Sequence, residues 1–373
     1  MSKHPNLTPH DGEDAEFHRD NAVVERTVRS VGEPMPVPLL AVKNLRVAFD
    51  GPRGASVAVS DVSLNIAPGE AVGLVGESGS GKTITGLSVM RLLPSNCSVS
   101  GSIEFDGRDI FELSPGALRQ VRGEEIALVP QNAMVAFNPM MTIGQQLVEA
   151  ITVHQSVGRK AALERGLELL ELTGITNPRF RAAQYPHEFS GGMLQRALIA
   201  MSLSCEPRLL IADEPTTALD VTIQRQIVYL LDSLRRQLGM GLLLVTHDLG
   251  LLAGVADRVY VMYAGTVVET GTVEDIFERN SHPYTQGLLA SAPKLFGEQG
   301  ADMEPIRGTP VSAQDAPSGC PFQPRCSYRI DQCSVRPRLE HVRNQQFSAC
   351  WRKEEVVDQT LGAPSAGAAR WSA

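Results

Sequence analysis

The stretch Gly76-Glu77-Ser78-Gly79-Ser80-Gly81-Lys82-Thr83 restricts this chain more than any other feature. It fits G-x-x-x-x-G-K-T, follows the apolar strand candidate Ala71–Val75 and precedes a segment that reads as a helix. The glycines let the backbone curl tightly, so that successive N–H groups and the helix N-terminus point at one anion. Lys82 is placed to reach the β- and γ-phosphates of a nucleotide, and Thr83 to bind Mg²⁺. A chance glycine-rich turn would lack both flanks.

A loop of that kind needs a sheet behind it, and the sequence supplies strand candidates. Ile103–Phe105, Ile126–Val129, Leu209–Ala212 and Leu242–Val245 are short apolar runs, several separated by helical segments, which predicts a largely parallel sheet. Before the loop, Leu40–Phe49 and Val57–Ile66 alternate, with Gly51, Pro52 and Gly54 marking a turn, and predict an added antiparallel layer. Residues from Thr142 to Glu188 turn helical, notably Ala161–Leu172, and predict an inserted helical subdomain spanning about 132–190. With 373 residues, 43% of them hydrophobic, the chain can bury a sizeable core.

Two further motifs bear chemistry. The strand Leu209–Ala212 delivers Asp213 and Glu214 at its C-terminal end, where ligands bind in open α/β sheets. Asp213 suits Mg²⁺ through its hydration shell, and Glu214 is placed to polarise an attacking water. The segment Phe189-Ser190-Gly191-Gly192-Met193 reads as a helix start whose serine and glycine amides form a second anion site.

Taken together, these motifs resemble the ATP-binding cassette (ABC) ATPases, and the fold implied is the P-loop NTPase fold of their nucleotide-binding domain. That resemblance implies ATP as substrate and an active site shared across two cassettes, with Ser190, Gly191 and Gly192 of one closing over nucleotide held by the other. It further implies that Gln131 senses Mg²⁺ and the attacking water, that Asp220, in Ala218-Leu219-Asp220, crosses the dimer interface, and that His247 contacts the γ-phosphate. Phe49 is the candidate platform for adenine. Met193 departs from the glutamine more usual in the family signature, which bears on the site that borrows it.

After Gly271 the segment Thr272–Leu289 is similar to the stretch that follows the cassette in dipeptide, oligopeptide and nickel importer ATPases. His282-Pro283 stops one element and starts a short helix. Cys320, Cys326, Cys333 and Cys350 follow with spacing C-x5-C-x6-C-x16-C, without the short pair that opens most structural zinc sites. Four thiolates can hold an iron–sulfur cube, and the resemblance implies a [4Fe–4S] cluster that staples the extension, with Zn²⁺ as the alternative. Cys97 and Cys205 stand alone and read as small buried apolar side chains.

The expected layout is a flexible arm at 1–37, a cassette at 38–280, the extension at 281–353 and a fraying tail at 354–373. The net charge of -8 argues against coating nucleic acid, no run approaches the ~18 apolar residues of a membrane span, and the N-terminus lacks the apolar core of a secretory signal. The expectation is therefore an ATPase on the cytoplasmic face of the membrane that powers uptake of di- or oligopeptides. Its implied partners are a second, related ATPase chain in a heterodimer, two transmembrane permease subunits and, indirectly, an extracytoplasmic solute-binding protein; no nucleic acid partner is expected. The alternative is a non-transport ABC ATPase acting on nucleic acid or ribosomes.

Overall fold

A computed structural model describes residues 37–51, 54–217, 219–291 and 305–362, with side chains described to residue 357. The predicted arm, except Val37, and Pro52, Ala218 and residues 363–373 lie outside the described residues.

The chain opens on β1 (Leu40–Gly51) and β2 (Gly54–Ile66), the predicted antiparallel pair, then β3 (Ala71–Val75), the phosphate loop and α1 (Lys82–Val89). Next come β4 (Cys97–Phe105), β5 (Arg108–Asp109), α2 (Pro115–Gln120) and β6 (Ile126–Val129). The helical insertion holds α3 (Ala133–Ala136), α4 (Ile143–His154), α5 (Arg159–Leu172), α6 (Pro178–Ala182) and α7 (Gly191–Ser202). The chain returns through β7 (Leu209–Asp213), α8 (Val221–Leu238), β8 (Gly241–Thr246), β9 (Arg258–Tyr263) and β10 (Thr266–Thr272), then α9 (Val273–Glu278) and α10 (Pro283–Ser291). It closes with β11 (Glu340–Arg343), β12 (Gln346–Ser348) and α11 (Lys353–Gly362).

Two sheets result, one ordered β2-β1-β4-β5 and the other β11-β12-β10-β9-β3-β8-β7-β6. In the first, β2 alternates between buried and more exposed positions from Val62 to Ile66, the mark of a sheet with one wet face. In the second, β3, β7 and β8 are buried at every position, as befits parallel strands covered on both sides. Register puts Val129 beside Ala212, Asp213 beside Val245 and Val75 beside Thr246. The C-terminal ends of β6, β7, β8 and β3 therefore finish level, and whatever follows each strand meets the others along one sheet edge. In the helical insertion, Thr142 caps α4 with a reciprocal bond to Gln145, and α5 brings Gly166 against Leu147.

The extension is joined to the cassette more closely than its sequence suggests. Strand β12 pairs antiparallel with β10, Glu269 facing Ser348, so that β11 and β12 complete the main sheet. Beneath them the fully buried Glu269 carboxylate accepts from Ser281 N–H at 2.6 Å, Ser281 Oγ at 2.8 Å, His282 N–H at 3.1 Å and Gln346 Nε2 at 2.8 Å. Residues 354–362, which composition assigns to a fraying tail, instead belong to α11, with Val356 and Val357 buried. Cys97 and Cys205 are half-buried rather than enclosed; Cys97 donates to Pro94 O at 3.1 Å on the rim of the antiparallel sheet.

Burial pushes the His282 imidazole down to about 3, and its Nδ1 accepts the Tyr284 N–H at 3.1 Å, so the native ring is neutral. The unfolded chain takes up this proton near pH 6.5 while the native chain does not, so His282 costs stability as the pH falls from there toward its folded value. Glu269, pushed up by burial, acts with the opposite sign above its ordinary range, which makes the comparison of variants decisive. His282→Asn keeps an acceptor for Tyr284 without the titration. Between about pH 7.5 and about pH 5.5 it should be spared about 1.4 kcal/mol of the wild-type loss, read as a smaller fall in thermal midpoint. Equal falls in both proteins would contradict this.

Candidate active site

The loop after β3 approaches its neighbours too closely for side chains at two glycines. A Cβ on Gly76 would lie 2.2 Å from Met262 O, and one on Gly81, at φ 100°, would lie 2.9 Å from Ala58 O. Gly81 also opens α1, whose first residues are Lys82 and Thr83. The Lys82 side chain is buried, and Nζ donates to Gly76 O at 2.7 Å and Glu77 O at 3.1 Å. Desolvation pulls its pKa below the ordinary lysine value, opposed by the Glu214 and Asp213 carboxylates.

Asp213, the last residue of β7, accepts from Thr83 Oγ1 at 3.0 Å. Burial pushes its pKa up, and the Thr83 bond opposes that shift. A hard divalent cation held between these two oxygens would relieve the burial penalty, so the donor set fits Mg²⁺. Glu214 follows at φ 44°, a left-handed conformation costly for a side-chain residue, and its N–H donates to Val245 O at 2.8 Å. That bend aims the carboxylate into a cluster. Its Oε2 accepts from Gln131 Nε2 at 3.1 Å and from Thr217 Oγ1 at 3.2 Å, lies 3.3 Å from His247 Nδ1, and its Oε1 sits 3.8 Å from Lys82 Nζ. Four strand ends thus converge on one carboxylate beside the phosphate loop. Thr217 was not singled out from sequence; its place one turn past the acid pair is the only signal it carries.

The other expected residues lie elsewhere. Ser190 caps α7, its Oγ accepting the Met193 N–H at 3.3 Å, and among the described residues no hydrogen bond joins Ser190, Gly191 or Gly192 to the phosphate loop. Gly191 and Gly192 face Leu219 and Ile223, so this tip packs against the start of α8, which Asp220 caps by accepting the Ile223 N–H at 3.0 Å. Phe49 is half-buried on β1, between Ser56 of β2 and Cys97 of β4, and packs on the antiparallel sheet's core.

In the extension, Cys320 N–H donates to Cys333 O at 2.9 Å, and both side chains are buried; Cys326 and Cys350 are half-buried, and no disulfide joins any of the four. Burial, then the neighbouring cysteines, pushes Cys326 up to about 11 and Cys350 up to about 12. The sulfurs therefore lie near enough to burden one another's ionisation, although no group of described residues is set for holding a metal ion.

Comparison with known proteins places this geometry. A sequence model of the ABC transporter family matches residues 59–217, and one for the oligopeptide/dipeptide transporter C-terminal region matches residues 268–333. The chain is 43% identical over 318 residues to the oligopeptide transport ATP-binding protein OppD of Haemophilus influenzae, covering 85% of this chain and 98% of that protein. It is 47% identical over 333 residues to a putative peptide import ATP-binding protein of Brucella melitensis, covering 86% and 98%. Among solved structures, the ADP- and phosphate-bound dimer of the ATP-binding cassette MJ0796 superposes with a TM-score of 0.57 at 26% identity, over 63% of this chain and 98% of that one.

Proposed function

Since the chain belongs to the ATP-binding subunits of ABC transporters, in their oligopeptide/dipeptide class, we propose that it hydrolyses ATP to power peptide import through membrane partners. The observation that carries the chemistry is the convergence of Lys82, Gln131, Thr217 and His247 on Glu214 at the level ends of the parallel strands.

The amides of Gly76–Thr83 wrap the β- and γ-phosphates, and Lys82 leaves the loop carbonyls to pair with them. Thr83, Asp213 and Gln131 would hold Mg²⁺, which would supply charge neutralisation on the phosphate oxygens. Glu214 orients a water for in-line attack on the γ-phosphorus; the bond to the β,γ-bridging oxygen breaks, leaving ADP and inorganic phosphate. His247 steadies the γ-phosphate, and Phe49 stacks on adenine. Ser190, Gly191 and Gly192 of a second cassette cover that phosphate from the opposite side, with Asp220 at the seam. Closing two cassettes on ATP shifts the transporter's conformation by the difference in binding free energy between its open and closed states.

Only Asn132, the cap of the short helix α3, separates Gln131 from that helix, so events at the γ-phosphate reach the helical insertion through covalent continuity. There Met134, Val135 and Met140 are exposed beside a cleft of about 480 Å³ lined by Met90, Ala136 and Val153. An apolar face of that kind suits docking of permease segments on the cytoplasmic side. No described helix is long and apolar enough to cross a membrane itself. The four extension cysteines, spaced C-x5-C-x6-C-x16-C without the short pair that opens most structural zinc sites, support an iron–sulfur cluster over zinc, although the described residues form no group set for a metal ion.

Isolation with native partners under anaerobic conditions tests the reading. Two hydrophobic subunits and a related ATPase should co-purify, ATP-dependent uptake of labelled peptide should reconstitute in vesicles, and iron with acid-labile sulfide should accompany the chain. Co-purification with ribosomes or nucleic acid in place of membrane subunits would overturn the transport role, and zinc without sulfide would overturn the cluster.

A further inference from the structure

The carboxylate of Glu77, inside the phosphate loop, is held by an arginine of the cysteine extension 248 residues further along. Arg325 Nη1 donates to Oε2 at 2.6 Å and Nη2 to Oε1 at 3.1 Å, a two-pronged match. The other donors are satisfied too, Nε by Arg307 O at 2.9 Å and Nη2 also by Ile306 O at 3.3 Å. Its side chain is only 3% exposed, with the Tyr263 ring 5.9 Å from the guanidinium. The same Glu77 donates its N–H to the phenol of Tyr284 at 2.8 Å, from α10. Amide and carboxylate of one loop residue are thus both held from outside residues 59–217, the region that matches the cassette family.

A carboxylate in a loop that wraps a polyphosphate is a like charge near the ligand, and with the Glu77 side chain 24% exposed water screens its repulsion only in part. A fully exposed ion pair would do little about this, whereas this one, its arginine buried and its carboxylate partly covered, matters because losing Arg325 leaves the loop carboxylate uncompensated. We propose that Arg325 and Tyr284 are positioning residues of the ATP site, contributed in cis by the C-terminal extension: Tyr284 fixes the Glu77 amide, and Arg325 neutralises the Glu77 carboxylate so that the loop accepts a nucleotide's polyphosphate. This rests on the ATPase reading above and adds that the extension is part of the nucleotide site. The segment that carries Arg325 also carries Cys320 and Cys326, and its Phe322 packs 5.3 Å from both Tyr263 and Tyr284, ring centre to ring centre.

The test is equilibrium binding of Mg²⁺-ATP to the full chain in four forms: wild type, Arg325→Met, Glu77→Gln and the double variant. Arg325→Met should weaken ATP about tenfold, about 1.4 kcal/mol. Glu77→Gln, itself a loop residue, sets its own reference affinity, and in that background Arg325→Met should cost less than about threefold, a coupling that general loosening of the extension would not give. If Arg325→Met does not yield folded protein, Arg325→Gln, which keeps amide donors without charge, carries the same expectation. Wild-type affinity in the arginine variant, or the same loss from Arg325→Met in both backgrounds, overturns the inference while leaving the ATPase reading intact. Absence of ATP binding in the wild type overturns both.

Discussion

Glu214→Gln is expected to bind ATP at least as tightly as wild type while hydrolysing it about 10² to 10⁴-fold more slowly, the range associated with losing a positioned general base. The substitution preserves shape, and Lys82, Thr83 and Asp213, which would hold the phosphates and Mg²⁺, keep their own bonds. What changes is the negative charge on which Gln131, Thr217 and His247 converge. A neutral amide there removes repulsion toward the γ-phosphate and with it the group that orients water. Single-turnover hydrolysis in the assembled transporter, measured beside nucleotide retention, separates the two effects. A hydrolysis rate within tenfold of wild type would remove Glu214 from the proposed role.

Lys82→Ala is expected to act one step earlier. The ammonium is the one cation set among Gly76 O, Glu77 O, Glu214 and Asp213 among the described residues, and its burial is already opposed by desolvation. Without it, an incoming triphosphate meets two carboxylates and no lysine. Loss of one well-aimed group in such a site costs about 10² to 10³-fold in turnover, and here the loss should appear in nucleotide affinity as well. Circular dichroism should report an unchanged fold, since the loop's shape is set by its glycines and by the Gly81 start of α1. Wild-type ATP affinity in a folded Lys82→Ala protein would contradict the assignment.

Much of this site is legible because its parts are local. The phosphate loop lies within one strand–loop–helix unit, and the fully apolar runs of β3, β7 and β8 announce a covered parallel sheet whose ends carry Asp213, Glu214 and His247. What escapes the sequence is long-range. Nothing periodic in Glu340–Arg343 or Gln346–Ser348 foretells pairing onto β10, because short edge strands carry little alternation. Arg325 sits in a proline-flanked turn, where only its ion pair with Glu77 across the fold marks it. Helix α11 escapes because its two buried valines are set by tertiary contact rather than by a strong apolar stripe. Ser190, Gly191 and Gly192 read correctly as a helix start, yet their proposed ligand belongs to a neighbouring cassette, a relation that one chain's geometry does not contain.

Titration calorimetry of the purified chain with Mg²⁺-ATP bears most directly on the claim that the Gly76–Thr83 loop is a nucleotide site. Saturable binding of one nucleotide per chain, abolished by Lys82→Ala and retained in Glu214→Gln, is the expected result. A wild-type chain that takes up no ATP, or a Lys82→Ala chain that takes it up as well as wild type, would contradict it.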